Sequence, residues 1–229
     1  MSQYLWCEDS GLGYRFWCAL CESLHPEITV ESKGNNSRLR KAAEKIQDDG
    51  NQYFILMDTS ADNPDVLREN RKLQQDTAGK NNVHIIQIHS FEFALLSFRQ
   101  LEQWVFAETD ELRDKRQGLI RAVALFVKFV TDGGTGEELS ELKALIPDSS
   151  EHNTEQLAGK LLFELTRNTG FETDKGNLGK CFIVSCCDWT ERAADDSCGL
   201  DHNRISAETK ARMIVDHSIL KDAFERVGL

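Results

Sequence analysis

The chain has 229 residues, 40% of them hydrophobic and 8% aromatic, which suits one large domain or two small ones and excludes disordered and fibrous classes. A formal charge of −11 argues against a surface that grips nucleic acid broadly through phosphates. It leaves room for a local basic groove, or for a site where a cation bridges carboxylates to phosphate. The longest apolar run, Ala122 to Val130, is interrupted by Lys128, so neither a membrane span nor a membrane partner is expected. The start MSQYLWCEDS lacks a basic-then-apolar leader pattern, and seven cysteines without an export signal fit a reducing compartment. The cytoplasm is the expected location.

The first 105 residues alternate between strand-like and helix-like segments. Tyr4-Leu5-Trp6-Cys7 is a short apolar run that ends at Glu8-Asp9, and Gly13 to Leu24 has helical spacing with Phe16, Trp17, Leu20 and Leu24 on one side. Ile28-Thr29-Val30 is β-branched and stops at Ser32-Lys33-Gly34. Ser37 then reads as the N-cap of a helix whose apolar stripe is Leu39, Ala42, Ala43 and Ile46. The run Tyr53 to Met57 is the strongest strand signal and ends at Asp58. Pro64 suits the first turn of a polar helix reaching about Gln75. Val83 to His89 is the fourth strand, followed by a helix over Phe91 to Val105.

This alternation predicts an α/β fold, a parallel sheet flanked by helices with right-handed crossovers. In such sheets ligands bind beyond the carboxyl ends of the strands. Those ends carry Glu8-Asp9, Lys33-Gly34, Asp58 and Ser90-Phe91-Glu92. Carboxylates gathered at one sheet edge repel unless protons or a divalent cation intervene, and Mg²⁺ or Mn²⁺ is the cation suited to such oxygen ligands. Each acidic residue also has a bland reading. Asp58 and Asp62 suit helix capping, and Glu92 lies in a first helical turn, where negative charge is favourable. The basic run Arg38, Arg40, Lys41, Lys45 fits either a phosphate-facing helix start or a solvated face.

Beyond a boundary near residue 106, a mainly helical region over 106–229 is expected. Its helices are read over Asp110 to Val130, Glu137 to Ile146, Thr154 to Arg167 with a capping box, and from Ser206 to about Arg226. Gly133-Gly134-Thr135-Gly136 lacks the Lys-Ser/Thr ending of a phosphate-binding loop and reads as a linker. Cys181 to Ser185 reads as strand-like. Cys18 and Cys21 have metal-site spacing but sit in an apolar helical pattern, which favours core thiols. Cys181, Cys186, Cys187, Cys198 and His202 lie in a short loop-rich stretch, and four of them would suffice for a structural zinc.

Glu8 after the first strand, Gly34 with Asn35 and Asn36 after the second, and Asp58 with Asp62 after the third resemble the TOPRIM domain of topoisomerases, primases and overcoming-lysogenization-defect nucleases. The Ser90-Phe91-Glu92 stretch resembles a Glu-containing segment in TOPRIM-like proteins of mobile elements and phage defence. The resemblance covers roughly residues 3 to 105. It implies a metal-dependent phosphodiesterase or nuclease acting on nucleic acid, with Glu8 as acid or base and Asp58, Asp62 and Glu92 at Mg²⁺ or Mn²⁺. Gly34 and Asn35 would form the cofactor-binding loop. Where the family carries Asp-x-Asp, this chain has Asp58-Thr59-Ser60-Ala61-Asp62, which needs a turn to return Asp62 to the metal. The alternative reading is a non-catalytic TOPRIM-like interaction or regulatory subunit, with a protein partner or a second copy of itself.

Overall fold

The computed structural model describes residues 1–187, 198–200 and 203–229. Strands β1 (Gln3–Cys7), β2 (Ile28–Ser32), β3 (Gln52–Asp58) and β4 (Val83–Ile88) form one sheet in the order β2-β1-β3-β4. All three pairings are parallel. The α/β class read from the alternation of segments is the architecture observed.

Both faces of the sheet are covered. Period-two alternation sends Tyr53, Ile55 and Met57 of β3 to one face, where α2 (Asn36–Glu44) and α3 (Pro64–Thr77) supply Leu39, Ala43 and Leu73. Phe54 and Leu56 face the other side with Leu5, Cys7, Ile86 and Ile88. There they meet α1 (Leu12–Leu24) and α4 (Phe91–Leu96). Arg40 locks α2 to α3, with Nε 3.0 Å from Glu69 and a guanidinium nitrogen 2.5 Å from Asp76.

The second cluster continues through the later helices. It takes in α7 (Gln117–Asp132) through Phe126, α9 (Thr154–Thr166) through Leu157, Leu161 and Leu162, and α11 (Leu220–Glu225) through Phe224. Residues on both sides of position 106 therefore share one core.

Tertiary partners divide several segments that read as single helices. The Phe91 to Val105 segment becomes α4 and α5 (Leu101–Val105). The Asp110 to Val130 segment becomes α6 (Glu111–Lys115) and α7, separated by Arg116. The buried Arg116 guanidinium donates to the carbonyls of Leu165 and Arg167 at 3.1 and 2.6 Å, capping the end of α9. The closing segment becomes α10 (Ala207–Asp216) and α11, because the chain between them is held from outside. Arg99 N donates to His217 O, and Ile219 N donates to Ser97 Oγ.

Cys181 to Ser185 is not a strand. Lys180–Phe182 forms a short 3₁₀ turn, and the buried Lys210 Nζ takes the carbonyls of Cys181 and Val184 at 2.9 and 3.0 Å. The α2 N-cap is Asn35 rather than Ser37, its Oδ1 accepting from Arg38 N at 2.9 Å. The helix α8 (Gly136–Leu145) starts on a capping box from Thr135 and Glu138.

Candidate active site

β1 and β3 are the two central, adjacent strands, so their carboxyl ends lie side by side. Trp6 pairs with Ile55, and counting on from that register puts Glu8 level with Met57, one position short of Asp58. The two side chains meet in a direct hydrogen bond. Two carboxyl groups can make such a bond only by sharing a proton.

Asp9 and Glu155 bear on this pair, and Glu92 bears on those two in turn. Asp9 is fixed by Trp17 Nε1, which donates to Oδ2 at 3.0 Å. Its carboxylate also lies where a side chain at Gly13 would have to go, so that position requires glycine. Glu92 arrives from the first turn of α4, which Ser90 caps through Phe93 N. Glu155 arrives from the first turn of α9 and bears electrostatically on Glu8, Asp9, Asp58 and Glu92. All five are half-buried, so solvent still reaches them.

The electrostatics follow from this crowding. Burial first, then the charges of Asp9 and Glu155, raise the Glu8 carboxyl against the opposing bond to Asp58. Burial and Glu8 hold Asp58 well above the ordinary carboxylate value. Burial also raises Asp9, against the hydrogen bond from Trp17. Glu92 rises to about 6, mainly through burial.

The sequence-predicted residues divide between this cluster and other tasks. Glu8 and Asp58 meet, and Glu92 joins the group from its far side, against Asp9 and Glu155. Asp62 does not join them, because it reaches across to the start of α9. Its Oδ2 accepts from Thr154 N at 2.8 Å, and its Oδ1 accepts from Thr154 Oγ1 at 2.6 Å and Ser60 Oγ at 3.0 Å. Burial pushes its carboxyl up, but these hydrogen bonds outweigh burial and leave it below the ordinary value.

Gly34 has φ +83° and makes the turn into α2, while Asn35 is spent on the α2 cap. The loop residue that reaches the cluster is Asn36, hydrogen-bonded to Glu8. The basic run beside it does not converge on the cluster through Arg40, which is committed to α3. Glu155 carried no signal in the sequence beyond that of an acid in a first helical turn, and its role follows only from where α9 packs.

Comparison with models of protein families, with curated proteins and with solved structures gives no match for this chain.

The donor set was tested against the hard divalent cation that the TOPRIM resemblance implies. Among the described residues no group of three or more His, Cys, Asp or Glu side chains is placed to hold a metal ion. The pair Glu8 and Asp58 nevertheless shares a proton that a cation would replace. Next to it the Oδ1 of Asn36 is buried without a hydrogen-bond partner. Two carboxylates and an amide oxygen fit Mg²⁺, which keeps several waters and completes its shell with substrate phosphates.

The cysteines lie elsewhere. Cys21 is buried in α1, its thiol raised to about 12 by burial, and Cys18 is half-buried beside it. Cys181, Cys186, Cys187 and Cys198 lie near enough for the last three to affect the Cys181 thiol, which burial raises. His202 lies outside the described residues.

Proposed function

We propose that the chain is a metal-dependent phosphodiesterase of TOPRIM type that cleaves nucleic acid, with phage or mobile-element defence as its setting. The observation that carries this reading is the shared-proton contact between Glu8 and Asp58 at the ends of adjacent central strands. That contact brings together two of the residues on which the TOPRIM resemblance rests.

In this reading Asp58 and Asn36 Oδ1 would hold Mg²⁺ or Mn²⁺, with Glu8 beside them. A cation held there would neutralise charge developing on the phosphodiester oxygens. Once a cation had replaced the shared proton, Glu8 would act as the base, taking a proton from the water that attacks phosphorus while the leaving oxygen is protonated from solvent. Trp17 and the close approach of Gly13 hold Asp9 in one orientation, as a fixed charge behind the pair. Asp62, the residue matching the second acid of the family's Asp-x-Asp, is engaged by Thr154, and Glu155 adds negative charge beside the pair. The site is acidic, so substrate phosphate enters it only with the cation, which reconciles nucleic-acid chemistry with the net charge of −11.

The direct test is incubation of plasmid and single-stranded DNA and RNA with Mg²⁺ or Mn²⁺. Cleavage by the wild-type chain is expected, with none after Asp58→Asn. Cleavage that survives Asp58→Asn removes the site from the chemistry.

The withdrawal of Asp62 from the cluster favours a second reading, a non-catalytic TOPRIM-like subunit that works by binding a partner. No cleavage of any nucleic acid, together with a stable complex with a partner protein or a second copy, decides for it.

A further inference from the structure

Next to the carboxylate cluster lies a separate cavity of about 610 Å³, within the range of small-molecule sites. One layer of chain divides the two. Asp58 faces the cluster while Thr59, Ala61 and Asp62 line the cavity, and Thr154 lines the cavity while its neighbour Glu155 faces the cluster.

The cavity floor is a hydrogen-bond network that leaves one buried atom, His89 Nδ1, without a partner. The Thr154 hydroxyl gives its one proton to the ionised Asp62 at 2.6 Å, so His89 Nε2, 3.0 Å away, is the donor to Thr154 Oγ1. Burial pushes the His89 ring down to about 4, so the ring is neutral, and its one proton is on Nε2. The floor therefore brings no positive charge.

One wall is the ring of Phe129. The turn after α7 closes directly on it, with Gly133 at φ +75° and any side chain at Gly134 overlapping the ring. The glycines that read as a linker thus hold an aromatic wall in place. Val130, Leu139 and Ile219 add to the apolar part, while the Gln87 amide is engaged by Asn70 and the Thr131 hydroxyl by the Val127 carbonyl. At the rim Arg226 makes no ion pair among the described residues.

We infer that this cavity receives a nucleobase of single-stranded nucleic acid, placing the adjoining phosphodiester at Glu8 and Asp58. The inference rests on the phosphodiesterase reading and names the substrate form of that site. An anionic ligand is disfavoured because Asp62 and Asp222 line the cavity against the single cation Arg226. An aliphatic chain would leave His89 Nδ1, the buried ring nitrogen of the lining that has no hydrogen-bond partner, unsatisfied. A flat neutral heteroaromatic ring stacks on the Phe129 wall and offers N–H donors to His89 Nδ1, and Arg226 then meets a phosphate of the neighbouring nucleotide. A base can enter only when it is outside a duplex stack.

The test pairs two measurements on the full chain. Free nucleosides are titrated without metal by ligand-observed NMR, and a labelled single-stranded oligonucleotide is titrated in Ca²⁺ by fluorescence anisotropy. Phe129→Ala is expected to abolish nucleoside binding and weaken the oligonucleotide about tenfold or more, the loss of one base–aromatic stack. Arg226→Gln, at an exposed position that leaves the fold intact, should reduce the salt slope of oligonucleotide binding by about 0.7, one phosphate contact. Wild-type cleavage with no nucleoside binding, and affinity unchanged in both variants, overturns the subsite and leaves the phosphodiesterase reading standing. Nucleoside binding lost in Phe129→Ala, from a wild-type chain that cleaves nothing, supports the base site and overturns the phosphodiesterase reading.

Discussion

Replacing Asp62 by alanine removes the acceptor of three buried donors: the Thr154 N–H, the Thr154 hydroxyl and the Ser60 hydroxyl. Thr154 is 5% exposed and Ser60 fully buried, so these donors have little access to water. An unsatisfied buried donor costs about 1–3 kcal/mol. The total is less than three such penalties, because the two hydroxyls lie 3.2 Å apart and can pair, and because water can follow the exposed Asp62 side chain inward. A net loss of about 2–4 kcal/mol follows, or a fall in Tm of about 5–15 °C for a chain of this size. Because the Asp62 carboxyl is held below its ordinary 3.8, its contribution is present above that value and fades as pH falls through the folded one. Thermal melts followed by circular dichroism measure the loss, and Mn²⁺ titration of the folded variant should give wild-type affinity. An unchanged Tm together with lost cation binding would refute the reasoning and return Asp62 to the metal.

Glu92→Gln should stabilise the cation-free protein. Its carboxyl rises from 4.5 to about 6, so the folded state loses stability as pH climbs through that window, by about 2 kcal/mol in full. The variant's Tm should exceed wild type by about 4–8 °C at pH 8 and match it at pH 4, and an equal gain at both would contradict this origin. His89 has the opposite sense. Burial lowers it from 6.5 to about 4, so its stabilising share is whole above 6.5 and disappears as pH falls, a loss of about 3 kcal/mol that denaturant titrations across pH should show and His89→Gln should flatten. Gly134→Ala pushes a methyl group into the Phe129 ring, and urea melts should show a loss of about 1–3 kcal/mol, whereas Gly136→Ala, in open space, should not.

The four strands were legible because their apolar, β-branched runs are short and each stops at a polar or glycine residue. Their parallel pairing followed from the helices between them. The carboxylates at the ends of β1 and β3 were legible for the same reason, since a parallel sheet brings neighbouring strand ends together. Asp62 was not, because its partner Thr154 is 92 residues away and local spacing carries no trace of it. Glu155 was hidden for a related reason, as an acid in a first helical turn looks like ordinary dipole complementarity until α9 is docked. The breaks at Arg116 and at His217 follow from side-chain and backbone partners on other elements, which no helical periodicity encodes. Gly133 and Gly134 looked like a linker because flexibility and close packing both call for glycine.

Calorimetric titration of cation-free protein with Mn²⁺ at pH 8, comparing wild type with a Glu8→Gln, Asp58→Asn double variant, tests the central claim most directly. The account predicts saturable binding with proton release in the wild type, as the cation replaces the proton shared by Glu8 and Asp58, and no binding in the variant. Equal binding by both proteins, or none by the wild type even with a single-stranded oligonucleotide present, would contradict it.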